Sequence, residues 1–341
     1  MTPVGKRRRK KGKPIQVLEY LGVSVLLAFA RLAPLKVGKL LSEHLGRVLY
    51  ALLRRRRSIA LENLRRAFPN EKDLDHRRIA RRSFSSFVVT CFEALKFQRI
   101  FGEQDAGAEP VAVLEEQRTL LQKARRIHDA SGGCIFVTPH IGNWEFLPFA
   151  SSIAGIPLVA VMRPLDNVYL ENLLYRKRAE SGQIIIPKRN ALFVLQVTLK
   201  QGKSIGMLPD QGTGRGIPVP FFGREAFTTP LPAMLAVRYR RPIVVVACCR
   251  SHDSRTFEGI VSDPLWPGEY SSEKEEIYRL TGTMNLEMEA VIRRYPEQYL
   301  WMHDRWKRYK RRRKFLARET TAFRASVLQR EEVVSHGPKK K

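Results

Sequence analysis

The sequence predicts an α/β fold, a mixed and mostly parallel sheet flanked by helices, preceded by an N-terminal membrane-anchor helix. Three observations carry this expectation. From residue 131 to residue 294, short β-branched runs alternate with segments of helical periodicity, as in a sheet built with crossover helices. Ahead of that region, residues 15–35 form a mostly apolar stretch close to the roughly 20 residues a spanning helix needs. The composition, 44% hydrophobic over 341 residues, suits a packed core rather than a disordered chain.

Taken in order, the chain opens on a basic block, Lys6-Arg7-Arg8-Arg9-Lys10-Lys11, expected to be unstructured. The apolar stretch that follows is interrupted by Gln16, Glu19 and Arg31. Both charges lie near its ends, where long side chains can reach the interface. No small-residue cleavage site follows, so it reads as a membrane anchor or deep interfacial helix rather than a signal peptide, with a buried soluble helix as the alternative. Residues 36–53 keep apolar positions at helical spacing (Val37, Leu40, Leu41, Leu45, Val48, Leu49, Leu52), the pattern of an amphipathic helix along a membrane surface. The basic cluster Arg54-Arg55-Arg56-Arg57 resists export and places the body on the cytoplasmic side. Two further helices are expected over 58–68 and 74–101, divided by Pro69-Asn70, and another over 113–128.

The sheet begins after Ser131-Gly132-Gly133. Strands are expected at 135–137, 157–161, 183–186, 204–208, 242–250 and 255–261, with helices at 167–180, 191–200, 231–238 and 274–294. The organisation is then a basic tail (1–14), an anchor with its amphipathic helix (15–57), a catalytic domain (58–310) and a basic C-terminal tail (311–341).

Net charge is +28, which calls for an acidic partner or surface. Residues 1–14 carry seven Lys/Arg and no acid, and residues 301–341 carry fourteen against four, which leaves +11 on residues 15–300. Nucleic acid, anionic lipid and an acidic carrier protein all suit that balance. No nucleic-acid-binding signature accompanies it, and no aromatics interleave with the basic runs, so nucleic acid is not expected as a partner. The four cysteines (Cys91, Cys134, Cys248, Cys249) lack metal-ligand spacing and read as thiols of a reducing compartment. No His/Cys/Asp cluster suggests a metal, and no cofactor motif is present. Gly202-Lys203-Ser204-Ile205-Gly206 matches the serine-hydrolase elbow in letters only. That elbow needs a strand before the serine, and here Ser204 starts one.

The stretch with chemistry in it is Thr138-Pro139-His140-Ile141-Gly142-Asn143-Trp144-Glu145. A buried strand ends, Gly142 permits a sharp turn, and Asn143 is placed to cap a helix. On a continuous helix the five-residue spacing would set His140 and Glu145 about 140° apart. A turn can fold them together instead, and an imidazole held by a carboxylate is a tuned general base. A surface histidine followed by a helix-start glutamate is the plainer alternative. Arg163 with Asn167, Arg178, and Asp210-Gln211 follow other strand or helix ends, and Phe221-Phe222 with Thr228 lie in the next loop. Ligands of open α/β sheets bind beyond the carboxyl ends of the strands, where His140, Arg163 and Asp210 all fall.

These residues in this order resemble the bacterial lipid A late acyltransferases, the lauroyl and myristoyl transferases, and relatives that acylate mannosylated phosphatidylinositol. The resemblance covers roughly residues 15–310. It includes Ile59-Ala60-Leu61-Glu62-Asn63-Leu64 with Phe68-Pro69, the His140/Glu145 pair, Arg163, Asn167, Arg178, Asp210-Gln211, and Phe221-Phe222-Gly223 with Thr228. It closes on Pro296-Glu297-Gln298-Tyr299 and the run from Trp301 to Lys307. The filling Ile141-Gly142-Asn143-Trp144 differs from that of the best-known lipid A enzymes, which leaves the acceptor open.

The resemblance implies a glycerolipid-acyltransferase-like fold at the bacterial inner membrane, its catalytic domain on the cytoplasmic face. It implies transfer of a fatty acyl chain from an acyl carrier protein or coenzyme A thioester to a hydroxyl of a phosphorylated glycolipid. His140 would be the base and Glu145 its orienter. Arg163 would serve the oxyanion or a phosphate, and Asp210 would orient Arg163 or Arg178. Phe221-Phe222 would line an acyl tunnel. A lysophospholipid or mannosylated phosphatidylinositol acceptor, and a catalytically inactive membrane scaffold of the same fold, are the alternatives.

Overall fold

Strand β1 (Ile135–Val137) is buried on both faces and sits inside the sheet. In a computed structural model the sheet has six strands in the order β3-β2-β4-β1-β7-β8. The structure describes residues 17, 24, 32–71, 75–95, 115–162, 167, 169, 184–187, 191–251 and 256–307. The other strands are β2 (Leu158–Met162), β3 (Ile184–Pro187), β4 (Ser204–Met207), β7 (Ile243–Arg250) and β8 (Phe257–Val261). All neighbours are parallel except β7 and β8, which pair antiparallel at one edge.

Side chains alternate across the sheet as strand geometry requires. Ile135 and Val137 face one layer with Ile205, Ile243 and Val245. That layer is covered by α6 (Ala191–Lys200), α7 (Leu231–Tyr239) and the 22-residue α8 (Glu273–Arg294). Phe136 and Val244 face the other, under Ala124 and Ile127 of α4 (Glu115–Ser131) and the loop after α5 (Leu147–Ile153). Both faces of the parallel strands are therefore covered, which is why they read as continuous apolar runs. Ser204, at the start of β4, is fully buried and hydrogen-bonded to His128 Nδ1 at 2.8 Å. It is a satisfied core hydroxyl, not an exposed nucleophile.

Two differences from expectation have clear causes. Residues 217–228 form an antiparallel hairpin, β5 (Ile217–Phe221) and β6 (Arg224–Thr228), where the sequence suggests a loop. Pro218 and Pro220 hide it, because proline is confined to edge positions of sheets and a two-stranded ribbon is all edge. The basic cluster expected to end the amphipathic segment instead forms the first turn of α2 (Arg54–Ala67). Asp75 then caps α3 (His76–Leu95), accepting from the backbone N–H groups of Arg77 and Arg78 at 2.9 and 3.0 Å.

Helix α1 (Leu35–Leu52) is amphipathic, and its polarity is inverted. Gly38, Ser42 and Gly46 face α3, whereas Val37, Leu40, Leu41, Leu45, Val48 and Leu52 point outward, Leu40 at 55% and Leu52 at 70% exposure. The small residues are required. A Cβ at Gly46 would collide with the Ser85 backbone, and one at Gly38 with the Phe92 ring. Among the described residues no helix is long and apolar enough to cross a membrane. Most of the anchor expected over 15–35, both tails and almost all of the helix expected over 167–180 lie outside the described residues.

Candidate active site

Two adjacent parallel strands deliver the central pair. Val137 of β1 is in register with Met207 of β4. Three residues on from each, through Thr138-Pro139 and Leu208-Pro209, stand His140 and Asp210. A residue that precedes proline is held extended, so both chains leave the sheet edge with the same reach. Thr138 still bonds back to the Met207 carbonyl at 3.1 Å, which carries the ladder one step further.

Asp210 grips His140 twice. Its Oδ1 accepts from Nδ1 at 2.6 Å and its Oδ2 from the His140 backbone N–H at 2.9 Å. Because a carboxylate only accepts, Nδ1 carries the hydrogen and Nε2 presents its lone pair. Gln211 Nε2 lies 3.3 Å from His140 Nε2. Trp144 meets the imidazole edge-on, ring centres 5.4 Å apart. The assignment of the orienting role to Glu145 is thereby corrected: the Nδ1 partner of His140 is Asp210. Arg163 and Arg178, which Asp210 was expected to orient, lie outside the described residues.

Burial is the largest single influence on His140 and pushes its pKa down. The charge of Asp210, its hydrogen bond and the charge of Glu145 together overcome it, so the pKa stands above the ordinary histidine value. For Asp210, burial pushes upward, and His140 and Arg305 reverse the sign and hold it below the usual carboxylate range. Glu145 thus acts on the ring through its field.

Gly142 makes the turn between His140 and Glu145. Its φ is +56°, and a Cβ there would collide with the Cys248 carbonyl oxygen. Asn143, fully buried, caps the next turn by accepting from Phe146 N at 3.2 Å. Its side-chain amide donates to Glu93 at 3.0 Å. The 296–301 segment closes the back of the turn, with Leu300 N bonded to the His140 carbonyl at 2.9 Å and Gly142 N to that of Gln298 at 3.2 Å.

The remaining expected residues divide. Phe221 and Phe222 are buried, packed with Trp301, Trp306 and Phe68. The physical reason is the hairpin, whose turn folds both rings onto α8. Thr228 is likewise fully buried, accepting from Arg305 Nη2 at 2.6 Å and Asn285 Nδ2 at 3.2 Å, so it braces Arg305 rather than facing a ligand. Asn167 is buried, its Oδ1 accepting from Tyr169 N at 3.0 Å. Arg163 and Arg178 lie outside the described residues. Sequence reasoning misses Tyr299 and His303. Burial raises the Tyr299 phenol, with Asp210 adding to the effect; burial lowers His303, against the pull of Asp210. Their only signal is membership of the 296–307 run.

Among the described residues no group of three or more His, Cys, Asp or Glu could hold a metal. Burial pushes the thiols of Cys134 and Cys249 up to about 12, so neither supplies a thiolate near neutrality.

Fold and site together define a class: an α/β protein with an aspartate-held histidine at the carboxyl edge of a parallel sheet. The family described as bacterial lipid A biosynthesis acyltransferase matches residues 5–308, and the chain belongs to that family. It is 26% identical over 312 residues to the lipid A biosynthesis palmitoleoyltransferase of Escherichia coli (strain K12), covering 90% of this chain and 96% of that protein. A lipid A biosynthesis acyltransferase of Shigella flexneri matches to the same extent. The lipid A biosynthesis lauroyltransferase of E. coli K12 is 26% identical over 295 residues, 85% of this chain and 91% of the relative.

Proposed function

We propose that this chain is a membrane-bound O-acyltransferase that moves a fatty acyl chain from an acyl thioester to a hydroxyl of a lipid A-type glycolipid precursor. The observation that carries the reading is the double grip of Asp210 on His140, in a chain that belongs to an acyltransferase family over nearly its whole length. The acceptor class follows that of the lipid A acyltransferases to which the chain is similar.

His140 Nε2 takes the proton of the acceptor hydroxyl as its oxygen attacks the thioester carbonyl. The tetrahedral intermediate collapses with rupture of the C–S bond, and His140 returns the proton to the departing sulfur. One ester forms, one thioester is lost and a free thiol leaves. Asp210 fixes the tautomer and, with Glu145, stabilises the imidazolium between the two transfers; a base so placed contributes about 10²–10⁴-fold. Arg163 is proposed to stabilise the oxyanion or hold a phosphate, with Asn167, Arg178 and Gln211 in substrate binding. The donor is an acyl carrier protein or coenzyme A thioester, drawn by the basic body.

The membrane half of the reading is supported by α1. An exposed leucine face beside Arg54-Arg55-Arg56-Arg57 has the composition of an interfacial helix on anionic lipid. The stretch over 15–35 is proposed as the anchor, with the domain on the cytoplasmic face of the inner membrane.

The test is acyl transfer by the purified chain and its His140→Ala variant, read by mass spectrometry on a panel of lipid acceptors. Product on a lipid A precursor, reduced at least about 100-fold in the variant, is the expected result. An equally active variant would sink His140 as the base, and product confined to a lysophospholipid or mannolipid would replace the acceptor.

A further inference from the structure

Glu93 is fully buried and Arg250 nearly so, and they form a two-pronged ion pair, Nε to Oε1 at 3.1 Å and Nη2 to Oε2 at 2.6 Å. Glu93 belongs to α3 and Arg250 ends β7. A buried pair of this kind is weak evidence for stability, because desolvation offsets most of the attraction. Its other partners indicate what it does.

Most of them lead to the turn at residues 142–143. Glu93 Oε2 accepts from Asn143 Nδ2 at 3.0 Å. Arg250 Nη2 donates to Thr90 Oγ1 at 2.7 Å, and Thr90 Oγ1 donates to the Gly142 carbonyl at 2.7 Å. Arg250 Nη1 donates to Ser86 at 3.1 Å. The Arg250 backbone is bracketed by the Gln298 side chain at 2.9 and 2.7 Å, while the Gln298 carbonyl accepts from Gly142 N. Lys39 of α1 approaches Glu93 Oε1 at 3.6 Å. Three elements distant in sequence thus converge on two of the residues that separate His140 from Glu145.

We propose that the Glu93–Arg250 pair, through Thr90, Asn143 and Gln298, is the positioning device that fixes the turn carrying His140 and Glu145. It touches no reacting atom, and it acts by holding the base and the carboxylate at their working separation. The inference rests on the acyl-transfer reading for its kinetic consequence, and on geometry for its structural one.

The test replaces both charges with apolar groups of similar volume, Glu93→Leu with Arg250→Met, a change that buried pairs tolerate without loss of the fold. The variant is expected to melt cooperatively and to keep its KM for acyl carrier protein thioester within about threefold. Its kcat falls about 100-fold, the size of effect that a 1 Å misplacement produces. The acid limb of its pH profile moves to lower pH, because Glu145 no longer sits to raise His140. Arg250→Lys, which keeps the charge on Glu93, restores part of kcat. Glu276→Leu with Arg279→Met is the control, since that pair serves Gly268 and Trp266 and not the turn. It is expected to leave kcat unchanged whatever its melting temperature.

Titration of the His140 ring by NMR reads the same displacement without any substrate. If the double variant keeps wild-type kcat and an unmoved His140 titration, the positioning role is overturned. The same holds if the control loses kcat equally. If the wild-type chain transfers no acyl group to any acceptor, the acyl-transfer reading fails, and the NMR titration still decides the positioning role.

Discussion

Asp210→Asn isolates the contribution of the carboxylate with almost no change of shape. In the wild type His140 presents two donors to Asp210, its Nδ1–H at 2.6 Å and its backbone N–H at 2.9 Å. Asparagine offers one oxygen and one NH₂, so it can accept from only one of them. The backbone N–H cannot change its chemistry, whereas the imidazole can. The oxygen therefore settles on the backbone, the NH₂ faces Nδ1, and the ring proton moves to Nε2. That tautomer has no lone pair for the acceptor hydroxyl. The expected loss is about 10²–10⁴-fold in kcat/KM, about 2.7–5.4 kcal/mol at 1.36 kcal/mol per tenfold. The pH profile gives an independent sign. The His140 pKa stands high because Asp210 and Glu145 overcome burial, and the base works only when deprotonated. Removing the Asp210 charge lets burial prevail, so the acid limb of the residual activity moves to lower pH. The assay is initial-rate acyl transfer from an acyl carrier protein thioester between about pH 5 and pH 9, a range that brackets the ordinary histidine pKa near 6.5. A variant within about fivefold of wild type, with an unmoved limb, would refute the tautomer reasoning, which requires a loss of the size a general base supplies.

Glu145→Gln should act on His140 through the field. It is expected to cost less than about tenfold and to shift the acid limb in the same direction as Asp210→Asn, by less. Gly142→Ala places an L residue at φ +56° and drives its methyl into the Cys248 carbonyl. Chemical denaturation should report a loss of about 2 kcal/mol or more, since left-handed backbone alone costs about 1–2 kcal/mol. On α1, amide hydrogen exchange should slow when vesicles containing phosphatidylglycerol are added. Leu41→Glu with Leu45→Glu should abolish that slowing, while stability changes by no more than about 0.5 kcal/mol per site, as expected for exposed positions.

The strands of the sheet are legible because parallel strands covered on both faces leave β-branched runs, as at Ile135-Phe136-Val137 and Ile184-Ile185-Ile186. His140 is legible from its place at a strand end followed by Gly142. Its partner is not. Asp210 lies 70 residues away, and two strands, β2 and β3, intervene in sequence. Only the strand order, which puts β4 directly beside β1, makes the pair neighbours. The repeated Pro139-His140 and Pro209-Asp210 dipeptides are the one local hint of equal reach. On α1 the apolar period is plain, but its direction is not. That depends on Gly38 and Gly46 meeting α3 without a side chain in between. Glu93 and Arg250 carry no signal at all, being single charges 157 residues apart inside otherwise apolar segments.

The β1–β4 register has a further consequence for how the protein fails on heating. Sites assembled from surface loops often lose activity below the temperature at which the domain melts, because loops open at little cost. Here the histidine and its aspartate leave neighbouring strands at the same level, and the bond from Thr138 to Met207 ties the two exits together. A slip of one residue would move one partner by about 3.3 Å and turn its side chain to the opposite face. Between those states the sheet has no intermediate setting. Thermal inactivation of the base should therefore coincide with cooperative melting of the sheet itself, with no separate inactive native form preceding it.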